Sequence, residues 1–464
     1  MVSKSAPRNV QSAIDSMVDS IGAARGAVLC VVAIGFFAFV WPAGADVAMA
    51  VLTLFAVNLL IRHQELFLQP PIILGCAWIV FVICSACYAT ISGLPGNHWG
   101  SIGKHIPIAL GPLVAITLSS ACYRVRLTIN TLVLLFLASL ICGALFMLTR
   151  NGALGMFGQG WPTLTGSFFG NVNRNTAALA CGLSVVTTAS LMHFVGSLKS
   201  IRLIWIVSAE IALALVFSFV GVLLTVTLSR TAYLASILGL AAWLLSLVGS
   251  AYAAARVGDQ RLGWVVPCII LAGVTAIAAL YHPLIAERLT RNDTVNYLSG
   301  IGQLILGGTD QIAVVLGDGG GRLQLAAVAI DLIRQRPWLG WGPDASRLIG
   351  LLSTFPDVRD LTQFHNGYLQ SLVSFGWAGA SLMVAYLIML TRAAWHKWTL
   401  KGSDRLSPSL FAATMGLTVY LLISNVSESI LFVKPAAMTG MFLAVLICIK
   451  TSAVPNGLAD PSPA

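Results

Sequence analysis

Charged residues are scarce in this chain, making up 9% of its 464 residues against 57% hydrophobic residues. This excludes a soluble protein of that length, because soluble domains carry roughly 25% charged residues. Lipid offers no hydrogen-bond partners to the backbone, so each spanning stretch must be a helix or part of a closed barrel. The apolar runs lack the alternation of barrel strands. The sequence therefore predicts an all-α polytopic membrane protein.

Several catalytic and binding signatures are also missing. The sequence contains no GxxxxGK[ST] loop, no HExxH and no Asp-x-Asp pair, so we expect chemistry without ATP, metal or another cofactor. The nine cysteines fall in or beside apolar runs, which argues against a disulfide framework. A net charge of +10 favours lipid headgroups or phosphates as partners, but the scattered basic residues form no stripe typical of nucleic-acid binding.

About twelve apolar runs reach the roughly 20 residues that cross a bilayer, the first two being short. They cover residues 26–41, 46–61, 71–91, 106–122, 127–148, 176–195, 203–226, 231–250, 263–281, 367–391, 409–426 and 434–449. We divide the chain into a cytoplasmic N-terminal segment, nine spans, a long loop, three spans and a disordered cytoplasmic tail. Their bounds are 1–25, 26–281, 282–364, 365–450 and 451–464.

Lysine and arginine are unevenly distributed among the connections. When the N-terminus is placed inside, every inner connection is basic while the short outer ones are sparse, so both termini are expected in the cytoplasm. The loop 282–364, between the ninth and tenth predicted spans, then faces outward. Within it, residues 322–335 carry an apolar stripe at helical spacing. This pattern predicts an amphipathic helix that lies on the membrane or packs on the bundle.

Two residues stand at positions that suggest chemistry. His365 comes where the long loop re-enters an apolar run, and its imidazole could remove a proton from a sugar hydroxyl; alternatively it caps the helix or anchors it at the headgroups. Arg230 follows Ser229 with almost no polar loop between two apolar runs. An arginine at the bilayer edge either binds an anion such as phosphate or snorkels to headgroups.

Other polar residues are weaker candidates. Arg322 follows a glycine cluster that ends at Gly321 and could bind an anion at a helix start, although such loops are commonly just flexible. Arg174 could add a third cation, or be a solvated loop charge. Further outer-side candidates are Lys104, His105 and His282. Glu210, alone inside an apolar run, raises the possibility of a transporter, but a structural hydrogen bond is the simpler interpretation.

Taken in order, these residues resemble the O-antigen ligase and polymerase superfamily. The resemblance rests on Ser229-Arg230, Gly321-Arg322, Arg336-Pro337-Trp338-Leu339-Gly340-Trp341-Gly342 and His365-Asn366-Gly367-Tyr368-Leu369. It implies an inner-membrane enzyme whose active site faces the periplasm and whose donor is a glycan on undecaprenyl diphosphate. The ligase branch passes the glycan to the lipid A–core oligosaccharide. The polymerase branch joins it to another repeat unit, and a related branch glycosylates protein.

The resemblance also implies roles for individual residues. His365 becomes the candidate base, and Arg230, Arg322 and Arg174 become candidate diphosphate-binding residues, with Asn366, Tyr368, Ser229 and Gly321 in support. We favour the ligase branch, in which direct displacement would invert the anomeric centre. A polymerase, a protein O-oligosaccharyltransferase or, from a different class, a flippase for lipid-linked glycans remain as alternatives.

Overall fold

The computed structural model describes residues 21–62, 68–125, 127–150, 174–196, 202–227, 229–255, 321–353, 355–399, 408–429 and 433–448. Within these ranges the regular elements are all helical. The predicted apolar runs fall on helices, apart from 263–281, which lies outside the described residues. Residues 282–320 of the predicted loop also lie outside the described residues. The same holds for residues 1–20 and 449–464.

The described part of the chain contains fourteen α-helices, which we number in order. They are α1 Ile21–Val40, α2 Pro42–Arg62, α3 Pro70–Ile91, α4 His98–Ser101, α5 Pro107–Val125, α6 Ile129–Arg150, α7 Arg174–Gly196, α8 Leu203–Thr227, α9 Arg230–Ala255, α10 Gly321–Gln335, α11 Leu348–Leu352, α12 Gly367–Thr399, α13 Pro408–Ser427 and α14 Lys434–Cys448.

Eight helices of the described residues are long and apolar enough to cross a membrane, or nine if the bent pair His98–Lys104 and Pro107–Ser119 is one span. The chain is thus a multi-pass membrane protein. The apolar parts of α2 and α14, Pro42–Asn58 and Pro435–Cys448, are shorter. The total of twelve spans and the orientation in the membrane stay predictions.

Helix α7 lies at the centre of the bundle. In its apolar window 89% of residues are buried, compared with 22% in α8, so α8 presents most of its surface to the outside while α7 is surrounded by other helices. Helices α9 and α13 make the most extensive contact. They approach closely because glycines meet at their crossing, where Gly239 faces the backbone of Gly416. Small residues at such crossings allow dense packing where lipid provides no hydrophobic driving force.

The predicted amphipathic helix is confirmed as α10. Its apolar stripe, including Leu325, Ala329 and Leu332, is buried in a separate core together with Trp341 and Phe364. Of the two alternatives, packing on the protein is therefore the observed one. This small core covers one end of the bundle and holds the start of α12 against α10.

The apolar run predicted as the tenth span is interrupted. Gly376 has φ 60° and ψ −166°, so α12 consists of a short segment before this glycine and a longer one after it. The segment that begins with Pro337 fills the break. Trp341 N donates to the Val373 carbonyl at 2.9 Å, and Trp377 N donates to the Pro337 carbonyl at 2.7 Å. The motif around Trp341 is thus part of the framework that fixes the start of α12.

A second contact ties the same region to the turn before α5. The Asp344 carboxylate accepts hydrogen bonds from Asn97 N at 2.7 Å and from Ser101 Oγ at 2.8 Å. His105 is buried and its Nε2 lies 2.9 Å from the Pro343 carbonyl. Burial lowers the pKa of His105 to about 4, an effect to which Lys104 adds and which the Pro343 carbonyl and Asp344 partly offset. His105 is therefore a packed structural residue.

Candidate active site

His365 occupies an unusual backbone position just before α12. Its φ of 50° is a left-handed value that few residues other than glycine adopt. The buried Phe364 precedes it. The following residue, Asn366, caps the helix, because its Oδ1 accepts hydrogen bonds from the backbone N–H groups of Tyr368 and Leu369, both at 3.0 Å. Capping thus belongs to Asn366, and the His365 ring is free to point elsewhere.

The His365 ring points to a carboxylate, that of Glu428. Its Nδ1 lies 2.8 Å from Glu428 Oε2. Because an ionised carboxylate only accepts, this contact places a proton on Nδ1, and in the neutral imidazole Nε2 is then the acceptor. Glu428 lies just after α13, and its side chain is 8% exposed compared with 23% for His365. This arrangement fixes the orientation of the imidazole and places Nδ1 against the carboxylate.

Glu428 also binds Arg322. Arg322 Nη2 donates to Glu428 Oε1 at 2.7 Å, and the Arg322 side chain is 49% exposed. One buried carboxylate therefore joins two of the residues that the sequence singled out. Arg322 comes from the first turn of α10, His365 from the start of α12 and Glu428 from the end of α13, so the packing of three helices creates the cluster.

The start of α12 is braced against α13. The Tyr368 hydroxyl donates to the Leu422 carbonyl at 2.9 Å. Gly367 packs against the side chain of Asn425 so tightly that any β-carbon at this position would overlap it. Both contacts lie within two turns of Glu428. They explain why glycine and tyrosine follow the histidine and its cap.

Next to His365 is a cavity of about 190 Å³. His365 and Glu428 form part of its wall, and the remainder includes Asn175 and Thr176 from the start of α7 and Thr362 and Gln363 from the loop before α12. The cavity is large enough for several waters or one sugar ring. A hydroxyl bound there would lie beside the imidazole.

The remaining candidate residues from the sequence lie at helix starts, within a helix or outside the described residues. Arg174 and Arg230 are the first residues of α7 and α9, but their side chains lie outside the described part of the structure. Asn175, the neighbour of Arg174, lines the cavity. Ser229 caps α9, with its Oγ accepting from Ala232 N at 3.4 Å, and Gly321 begins α10. His282 lies outside the described residues, and Glu210 lies within α8.

Glu428 is the site residue that sequence reasoning missed. It stands between the last two predicted spans, in Ser427-Glu428-Ser429, on the same predicted outer side as His365. An acidic residue at the edge of an apolar run was the available signal. Among the described residues, no group of three or more His, Cys, Asp or Glu side chains is arranged to hold a metal ion.

The fold and this cluster define a multi-pass membrane protein with a polar site at one end of its helix bundle. Residues 213–384 match the family model described as O-antigen ligase. The match confirms the resemblance to the O-antigen ligase superfamily and indicates a glycosyltransferase-like enzyme. It includes Arg230, Arg322 and His365 and ends before Glu428. A comparison with curated proteins found no match.

Proposed function

We propose that the protein is a membrane glycosyltransferase that transfers an O-antigen glycan from undecaprenyl diphosphate to the lipid A–core oligosaccharide at the periplasmic face of the inner membrane. The observation that supports this most directly is Glu428, which holds His365 by one oxygen and Arg322 by the other. A base and a phosphate-binding cation are thereby kept next to each other. In a transfer from a glycosyl diphosphate, the base acts on the acceptor hydroxyl and the cation stabilises the departing diphosphate.

In this mechanism His365 acts on the acceptor. Its Nε2 takes the proton from an acceptor hydroxyl while the hydroxyl oxygen attacks the anomeric carbon of the donor. The imidazole then carries a positive charge, which the Glu428 carboxylate at 2.8 Å stabilises. Since the acceptor oxygen attacks opposite to the leaving group, the anomeric centre is inverted.

Arg322 acts on the leaving group. As the bond between the anomeric carbon and the phosphate oxygen breaks, its electron pair stays on the diphosphate, where a guanidinium stabilises the developing charge. Because the Arg322 side chain is 49% exposed, a diphosphate can reach it while Glu428 keeps it in place. Arg230 and Arg174, at the starts of α9 and α7, are proposed to complete the diphosphate site. Cleavage of the glycosyl diphosphate supplies the free energy of the reaction, so no nucleotide is needed.

The test is glycan transfer by the purified protein, with undecaprenyl diphosphate-linked glycan as donor and lipid A–core as acceptor. His365→Asn is the informative variant, because asparagine tolerates the left-handed backbone that alanine does not. We expect it to be inserted normally and to lose transfer by at least about 100-fold, the size of a general-base contribution. His396→Asn, an exposed histidine in the last turns of α12, is the matched control.

Near-normal transfer by His365→Asn would remove His365 from the role of base. Transfer in detergent, where no gradient exists, would contradict a flippase. The lipopolysaccharide of a deletion strain distinguishes the two branches of the superfamily. Complete core without O-antigen indicates the ligase, whereas core carrying one repeat unit indicates the polymerase.

A further inference from the structure

Glu428 links the cavity beside His365 to the ion pair with Arg322. Glu428 Oε2 meets His365, which lines the cavity, whereas Oε1 meets Arg322, which does not. Because a general base contacts the hydroxyl that it deprotonates, the cavity beside His365 is the place for the acceptor.

The loop before His365 supplies neutral polar groups to this cavity. Thr362 and Gln363 are on its wall, and their side chains make no hydrogen bond within the described ranges. The loop is fixed on both sides, since Arg359 Nε donates to the Ser353 carbonyl at 3.2 Å and Phe364 is buried. Hydroxyl and amide side chains on a fixed loop are suited to the hydroxyl groups of a sugar.

The charge of the wall adds a restriction. Asp360 places a carboxylate on the described wall of the cavity, whereas the charge of Glu428 is already balanced by Arg322. A carboxylate or phosphate on the bound sugar would face the like charge of Asp360, which disfavours its binding. A neutral sugar has no such penalty.

We propose that this cavity is the acceptor-sugar subsite, that Thr362 and Gln363 bind the hydroxyls of one sugar ring, and that Asp360 makes the subsite selective for neutral over acidic sugars. This inference rests on the proposed function, because it takes His365 as the base. It goes further in naming the loop 360–363 as the element that determines acceptor specificity.

The first test measures KM for the acceptor and for the donor in the transfer assay. Gln363→Ala and Thr362→Val should each raise the acceptor KM about tenfold, the effect of one lost hydrogen bond to a sugar, with the donor KM unchanged. Gln335→Ala is the matched control, because Gln335 is exposed at the end of α10 and bonds to Asp331. An acceptor KM for Gln363→Ala equal to that of the control would overturn the subsite, even if His365→Asn is inactive and the proposed function stands.

The second test measures selectivity. Wild-type protein should use an acceptor ending in a neutral hexose at least about tenfold better than one ending in the corresponding uronic acid, and Asp360→Asn should reduce this preference several-fold. A preference for the acidic acceptor, or one that Asp360→Asn leaves unaltered, would contradict the role of the cavity's charge.

The third test uses binding alone and is valid even if the protein transfers no glycan. Methyl glucoside and methyl glucuronide are titrated into protein in lipid nanodiscs, since sugar-based detergents would compete. Saturable binding of the glucoside that Gln363→Ala weakens would support a sugar site even if the transfer assay refutes the proposed function. Absence of glucoside binding by inactive wild-type protein would overturn both.

Discussion

Replacing Glu428 by glutamine tests the arrangement of the site most directly. The change keeps the size of the side chain but removes its charge, so the hydrogen bond to His365 Nδ1 at 2.8 Å becomes a neutral one. A hydrogen bond to a charged group contributes about 1.5–3 kcal/mol. A neutral hydrogen bond contributes about 0.5–1.5 kcal/mol, so the change costs about 1–1.5 kcal/mol in the transition state. At about 1.4 kcal/mol for each factor of ten, this lowers kcat roughly 5- to 12-fold.

The Arg322 half of the cluster contributes less to this effect. The Arg322 side chain is 49% exposed, so water screens its ion pair and compensates for much of the lost attraction. We therefore expect Glu428→Gln to change kcat far more than the donor KM. The assay is steady-state transfer with each substrate varied in turn, using protein whose elution on size exclusion and unfolding temperature match those of the wild type.

Two comparisons make the result interpretable. Glu210→Gln, the same change within α8, is the matched control and should leave kcat unaltered. In a double variant with His365→Asn, Glu428→Gln should cause almost no further loss, because Glu428 is proposed to act through the histidine. A Glu428→Gln protein with wild-type kcat, or losses that multiply in the double variant, would refute the reasoning.

Three further predictions concern Arg322, Gly376 and His105. Arg322→Lys keeps the charge but loses the planar fork, so the donor KM should rise at least about tenfold; an unchanged KM would exclude diphosphate binding by Arg322. Gly376→Ala places a β-carbon against the backbone of Trp338 at positive φ, which should destabilise the protein by more than the roughly 1–2 kcal/mol of the backbone conformation alone, measured as a lower unfolding temperature. Burial lowers the pKa of His105 to about 4, so its imidazole is neutral in the folded protein, whereas in the unfolded chain it takes up a proton below pH ~6.5. The free energy of unfolding is therefore highest above pH ~6.5 and falls by up to about 3 kcal/mol as the pH drops to ~4. His105→Gln should flatten unfolding temperature against pH in this window, whereas an unchanged slope would contradict the assignment.

Much of the architecture follows from the sequence by itself. Uninterrupted apolar runs predict helices because a chain in lipid must satisfy its own backbone groups, and the described runs are helical. The apolar stripe in 322–335 predicts α10 by its period alone. His365 and Arg322 also stand out in the sequence, since a polar side chain at the edge of an apolar run is costly without a reason.

What the sequence did not determine is how these residues meet. Glu428 is 63 positions from His365 and 106 from Arg322, and no local pattern links them. Only the packing of α10, α12 and α13 brings the carboxylate within hydrogen-bond distance of both. The break at Gly376 was equally hidden, because an apolar run records composition and not backbone torsion. Hydrophobicity acts on each segment separately and so can be predicted from sequence, whereas hydrogen bonds and ion pairs depend on ångström-scale distances between segments that only the tertiary structure sets.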